Sequence, residues 1–285
     1  MPEKNVMKRL CAICILFIIL MIGETSSAAN SAGAGQMGDT ILVGYDGAHL
    51  SYKEIVNDSV LDKDKGWQNG GYAELRHDDK YDFVRINFAG VGSNSSTYAG
   101  ALQNGTPLTM TTPEHIYKTE LDIACKAMDF HAATPAPYLG IGYRWWFRGK
   151  NALPDYEEKY DWWYGTLGAN LAYRAANRLM LGLDAAMLLP MSPRMTTNSA
   201  GLTDETVFKL KSKIGVRVEA PVTYEIYRAS AYTALGFLTP YYERWSTGAS
   251  RTVILTSGGN TVGAAFEPRS HSELPGFKVG IGVHF

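Results

Sequence analysis

The last ten residues constrain this chain most. They read Gly-Phe-Lys-Val-Gly-Ile-Gly-Val-His-Phe, from Gly276 to Phe285. Phe277, Val279, Ile281, Val283 and Phe285 fall on one face of an extended chain, with Lys278, Gly280, Gly282 and His284 on the other. Such period-two alternation specifies a strand with one apolar and one polar side. A tilted strand of roughly 9–11 residues is also long enough to cross the hydrocarbon of a bilayer. The closing strand of a soluble sheet would alternate in the same way, so the remaining sequence has to discriminate.

The alternation recurs upstream. Tyr117, Thr119, Leu121, Ile123 and Cys125 oppose Lys118, Glu120, Asp122 and Lys126; Leu139, Ile141, Tyr143, Trp145 and Phe147 oppose Gly140, Gly142, Arg144 and Trp146. On the eighth such segment Phe208, Leu210, Ile214, Val216 and Val218 oppose Lys209, Lys211, Lys213, Arg217 and Glu219. Taken in order the segments number about ten, with eight and twelve as alternatives. The first, His49 to Ile55, is weak. A turn at Ala220-Pro-Val-Thr separates the eighth from a ninth that starts at Tyr224. Connections after the odd-numbered strands read long and polar, notably 57–66, 91–113, 190–206 and 246–275; those after the even-numbered strands read shorter. That rhythm suits a transmembrane barrel, with short turns on one side and longer loops on the other.

At the N-terminus Lys4, Lys8 and Arg9 precede an apolar run from Leu10 to Gly23 and the small residues Ser26 and Ala28. A basic region, an apolar core and a small-x-small exit predict a secretory signal over 1–28, cleaved after Ala28. A flexible leader over 29–44 and a barrel domain over 45–285 follow. Cys11 and Cys14 leave with the signal, so Cys125 is the single remaining thiol and no internal disulfide forms. The mature balance, 24 basic against 26 acidic residues, gives no footing for a nucleic-acid partner. The 17 Tyr, 6 Trp and 29 Gly suit membrane interfaces and crowded barrel interiors.

The whole mature chain resembles a small, single-chain Gram-negative outer-membrane β-barrel, and the closing strand with Phe285 carries the resemblance. It implies an all-β, antiparallel up-and-down barrel in the outer membrane, exported by the cleaved signal. Phe277, Val279, Ile281, Val283 and Phe285 would be the signal read by the barrel-assembly machinery. In lipid the apolar face turns outward and the polar face lines the lumen. Lys118, Glu120, Asp122, Lys126, Arg144, Lys209, Lys211, Lys213, Arg217 and Glu219 are the predicted lumen-lining residues. Tyr138, Tyr143, Trp145, Phe147, Trp162, Trp163, Tyr164, Tyr241, Tyr242 and Trp245 read as an interfacial girdle.

Chemistry is sparse. Omptin-like proteases carry an Asp pair and an Asp-His pair at the outer rim; here His77-Asp78-Asp79 falls on a turn of the periplasmic side. Lipid A deacylases use His and Ser one residue apart with a Glu, whereas His271, Ser272 and Glu273 are consecutive and predict no catalytic geometry. The six His are scattered, with no metal-ligand spacing. No catalytic residue, cofactor or metal is assigned. The leading expectation is a non-enzymatic outer-membrane protein with a charged, side-chain-filled lumen, whose partners are membrane lipid and an extracellular ligand met by its loops. A small passive channel is the alternative and a surface hydrolase the third reading.

Overall fold

The computed structural model describes residues 37–101, 106–126, 133–149, 156–199 and 203–285. The proposed signal and most of the leader therefore lie outside the described residues. The chain forms β1 (Gly38–Val56), β2 (Ser59–Asp78), β3 (Asp82–Ala101), β4 (Pro107–Cys125), β5 (Ala133–Arg148), β6 (Tyr156–Ala176) and β7 (Leu179–Ser199). Then come β8 (Thr206–Lys209), β9 (Lys211–Ser212), β10 (Gly215–Glu219) and β11 (Val222–Arg228), four pieces of one barrel strand. β12 (Thr233–Gly248), the hairpin β13 (Val253–Ser257) with β14 (Asn260–Ala265), and β15 (Arg269–His284) complete the order. Neighbours pair antiparallel from β1 to β7, through β10 and β11 to β12, and on to β15, which returns to β1. Ten antiparallel barrel strands thus close on themselves, as expected, and closure leaves no unpaired edge.

Outward side chains divide the barrel into two zones. Near the chain ends the outer face is apolar: Val43, Val84, Leu121, Ile123, Leu139, Ile141, Leu167, Leu183, Met187, Val216, Leu238 and Ile281 are all exposed. This is the lipid-facing band. Farther along the same strands the sense reverses, with Lys63, Lys65 and Lys209 exposed outside and Leu50, Tyr52, Trp146, Tyr160, Met195 and Phe208 buried inside. The barrel therefore projects out of the membrane into water. The long connection between β12 and β15, which carries the hairpin β13–β14, lies at the projecting end, so that end is the extracellular one.

That projection corrects several sequence-based boundaries. Residues 57–66 are no loop: Asn57 and Asp58, at φ 48° and 63°, make a two-residue hairpin turn of the primed class, and β2 begins at Ser59. Much of 91–113 and 190–206 is likewise strand. The part of the leader from Gly38 onward belongs to β1, where Thr40–Ala48 pairs with Gly276–His284. Polar composition suggested loops because a strand standing in water needs no apolar outer face. Residues 220–223 form no turn either. Val222 pairs with Leu181 one side and Leu238 on the other, continuing the registers of β10. Pro221 has no N–H and interrupts the ladder, yet its carbonyl accepts from Gly182 N at 2.7 Å. The turn falls instead at 229–232, closed by Ala229 N donating to Tyr232 O.

Candidate functional site

Inside the lipid-facing band the lumen is crossed by charge pairs whose partners come from distant strands. Arg85 on β3 donates from Nε to Asp122 Oδ2 at 3.0 Å, and from Nη1 across the lumen to Asp184 Oδ2 on β7 at 3.1 Å. Asp184 also accepts from Tyr138 OH at 2.5 Å and Asn170 Nδ2 at 3.3 Å. Arg217 on β10 grips Glu120 of β4 with two bonds, 2.6 and 3.0 Å. Lys278 reaches Glu219 at 2.9 and 3.0 Å, and Lys118 reaches Glu243 at 2.5 Å. Buried ions need such partners, because an unpaired one keeps the full desolvation cost. Between Asp46, Lys118, Tyr241 and Glu243 the packing leaves a cavity of about 10 Å³, room for about one water.

One level higher stands Arg144, fully buried and without a hydrogen-bond partner for any of its three guanidinium nitrogens. Three indoles surround it instead, their centroids 5.3 Å (Trp146), 4.8 Å (Trp162) and 5.5 Å (Trp245) from its Cζ. Cation–π attraction is strongest when the cation is desolvated, as here.

Above the band, at the extracellular mouth, Arg148 sits among carboxylates from four strands and the segment before β15. Its Nη1 donates to Glu54 at 3.1 Å and Glu158 at 2.9 Å; its Nε faces Asp64 at 3.3 Å and Glu114 at 3.7 Å. Asp62 lies 3.9 Å from Nη2, and Glu267 accepts from Tyr160 OH at 2.8 Å. Tyr52, Trp146 and Tyr160 form the floor, in edge and stacked contact. One guanidinium cannot neutralise six buried acids. Burial pushes Glu54 up to about 8 and raises Asp62, Glu114 and Glu267 as well, against the lowering pull of Arg148. The mouth therefore holds protons on some of its acids at neutral pH.

Of the predicted lumen residues, Glu120, Asp122, Arg144 and Arg217 are buried inside; Lys118 and Glu219 are half-buried there and paired. Lys126 caps the periplasmic end, donating to Asp79 O at 2.5 Å and pairing with Asp78 at 3.1 Å. Lys209, Lys211 and Lys213 do not line the lumen. All three are exposed on the outside, where Phe208 and Leu210 point in. The phase of this strand reverses between Leu210 and Gly215, and every side chain of Lys211–Ile214 is exposed in between. A slip of one residue exchanges the two faces, so one unbroken alternation could not describe both halves. The girdle is corrected by half: Tyr138, Trp162, Tyr164, Tyr241 and Trp245 are buried in the lumen. The closing-strand face of Val279, Ile281 and Phe285 is exposed outward.

Sequence reading missed the mouth. Glu54, Asp62, Asp64, Glu114, Arg148 and Glu158 carry even numbers on strands whose even positions face inward, a signal hidden where the segments read as loops. The His77–Asp39 contact, 2.7 Å, lies at the periplasmic end as the turn assignment required. Among the described residues no His–carboxylate or His–Ser hydrogen bond lies at the extracellular mouth.

No family model and no curated protein matches the sequence. Solved structures do. The outer-membrane protease OmpT from Escherichia coli superposes with a TM-score of 0.61 at 9% identity, covering 91% of this chain and 100% of its own. OprG from Pseudomonas aeruginosa (TM-score 0.40, 10% identity, 88% and 98% covered) and the Pseudomonas putida toluene transporter TodX (0.32, 9%, 88% and 91%) match more distantly. The chain has the fold of the bacterial outer-membrane β-barrels: ten antiparallel strands, closed edge to edge and apolar toward lipid.

Proposed function

We propose that this protein is a non-conducting, non-enzymatic outer-membrane barrel, its lumen closed by its own side chains and its extracellular projection the part that meets other molecules. The observation that carries this reading is the set of cross-lumen bonds from Arg85, Arg217 and Lys118 to acids on opposite strands. About eight strands already leave an interior that side chains fill; two more strands are filled here by long charged chains and paired indoles. In this reading the signal over 1–28 is cleaved during export, and the outward face of Phe277, Val279, Ile281, Val283 and Phe285 is what the assembly machinery reads.

Single-channel recording in a planar bilayer tests it. The inserted, heat-modifiable barrel is expected to be silent; steady ion-selective steps would favour the passive-channel alternative. A fluorogenic peptide mixture should likewise be left uncut beyond the rate of the heat-denatured sample.

A further inference from the structure

The lysines that left the lumen point to a second surface. Lys209, Lys211 and Lys213 share 5 residues of the barrel strand made of β8 to β11, which would span about 14 Å at the usual rise. Among the described residues no ion pair or side-chain hydrogen bond engages any of the three. Two arginines flank them: Arg194, register partner of Lys209, and Arg244, register partner of Val216. Both are already bound on one side, Arg194 to Asp161 at 2.9 Å and Arg244 to Glu273 at 3.9 Å. Asp204, the nearby acid at the head of the strand, is occupied by Thr256 Oγ1 and the amides of Gly258 and Gly259. Glu205 is the remaining exposed acid beside the patch. Five cations thus face four acids, Asp161, Asp204, Glu205 and Glu273, and the three lysines are the cations left without an ion-pair partner among the described residues.

Height decides what such a patch meets. Ile214, next to Lys213, is exposed, as are Met191, Leu189 and Val216 just below. These are the top of the lipid-facing band, so the lysines stand where hydrocarbon gives way to headgroups. Two backbone irregularities put them there. Ser192 on β7, at φ 49°, shifts the register against β6, and the opposite strand bulges over Lys211–Ile214. A bulge re-aims side chains. Gly248 completes the arrangement, since a Cβ there would lie 2.8 Å from Lys211 Cβ; the bare glycine lets the lysine stem lie across β12. Long stems resting on apolar surface with ammonium heads at the interface are how lysines engage a membrane.

We infer that Lys209, Lys211 and Lys213 form an outward docking surface for the phosphate groups of an anionic outer-leaflet lipid. The lumen's conductance is immaterial to this inference, which needs only the barrel's place in the membrane. Basic residues near an anionic surface contribute enough each that losing three should weaken binding roughly a hundredfold.

The test uses the full barrel purified in detergent, with diphosphorylated lipid A as probe and native mass spectrometry as readout. Wild-type protein should retain that lipid in preference to its dephosphorylated form. K209Q/K211Q/K213Q should lose about two orders of magnitude in affinity, while K53Q/K63Q/K65Q, which removes three outward lysines elsewhere, should bind as wild type. Heat-modifiable migration shows that each variant is folded. Equal loss in both triple variants would mean unspecific charge attraction, and no loss in the first would remove the site; either overturns the proposal. Release of the lipid by excess inorganic phosphate would show a site for free anion and overturn the assignment to a lipid.

Discussion

Buried charge behaves differently at three arginines of one lumen, according to what each would leave behind. Arg217 holds Glu120 with two bonds, so Arg217→Met strands a buried carboxylate; about 3–5 kcal/mol of stability should be lost in detergent unfolding. Adding Glu120→Gln to that variant should recover a large part. Arg144 orphans no hydrogen-bonded acid, and Arg144→Met should cost no more than about 2 kcal/mol, mainly its three indole contacts. If both variants lose equally, the reading of Arg144 as unpaired is wrong. Arg148 governs pH. Glu54 binds its proton more tightly folded than unfolded, its pKa rising from 4.5 to about 8 through burial. Its contribution to stability is full below about 4.5 and is lost as pH climbs through 8. Hydrogen exchange at the β1–β2 tip should therefore quicken between neutral and alkaline pH, and Glu54→Gln should flatten that dependence. Of these residues, Glu120, Arg144 and Arg217 were legible in sequence because they interrupt a clear apolar alternation. Arg148 and its acids were not, since burial there depends on strands that continue beyond the lipid.

At the scale of the element, glycine opposite tyrosine recurs. Gly142 pairs with Tyr164 and Gly168 with Tyr138, and a Cβ on either glycine would come 2.3 Å from the tyrosine ring. The ring lies over its neighbour's bare backbone, filling space a strand glycine would leave empty. Gly142→Val should displace Tyr164 and cost about 1–3 kcal/mol, measurable in the same unfolding assay. Proline has a different lesson. Pro221 read as a turn because it cannot donate to a ladder, but a missing donor interrupts one bond and leaves the strand direction unchanged. The register of Val222 with Leu181 shows that the strand runs straight on. Deleting one residue from Lys211–Ile214 would bring the two halves of this strand into one phase. Leu210 and Gly215 would then lie an even number of positions apart, Phe208 would still face in and Lys209 out with no bulge, and that variant should still become heat-modifiable.

For the whole molecule, two solvents set two inside-out patterns on the same ten strands. In lipid, apolar side chains face out and ions pair in the lumen; in water above, apolar side chains pack inward and lysines face out. Silence in the bilayer and retention of phosphorylated lipid are thus separate expectations, one about the lumen and one about the rim where the two solvents meet.

The sequence alone determined the fold class and the lipid-facing side of the closing strand, and narrowed the strand count to about ten; the tertiary pairing fixed it at ten. Period-two alternation is local and additive along the chain, so it can be read one segment at a time. Tertiary structure decided where each strand leaves the lipid, which way the bulged strand turns its lysines, and which charges meet across the lumen. Those depend on register between strands far apart in sequence, where a slip of a single residue exchanges inside for outside.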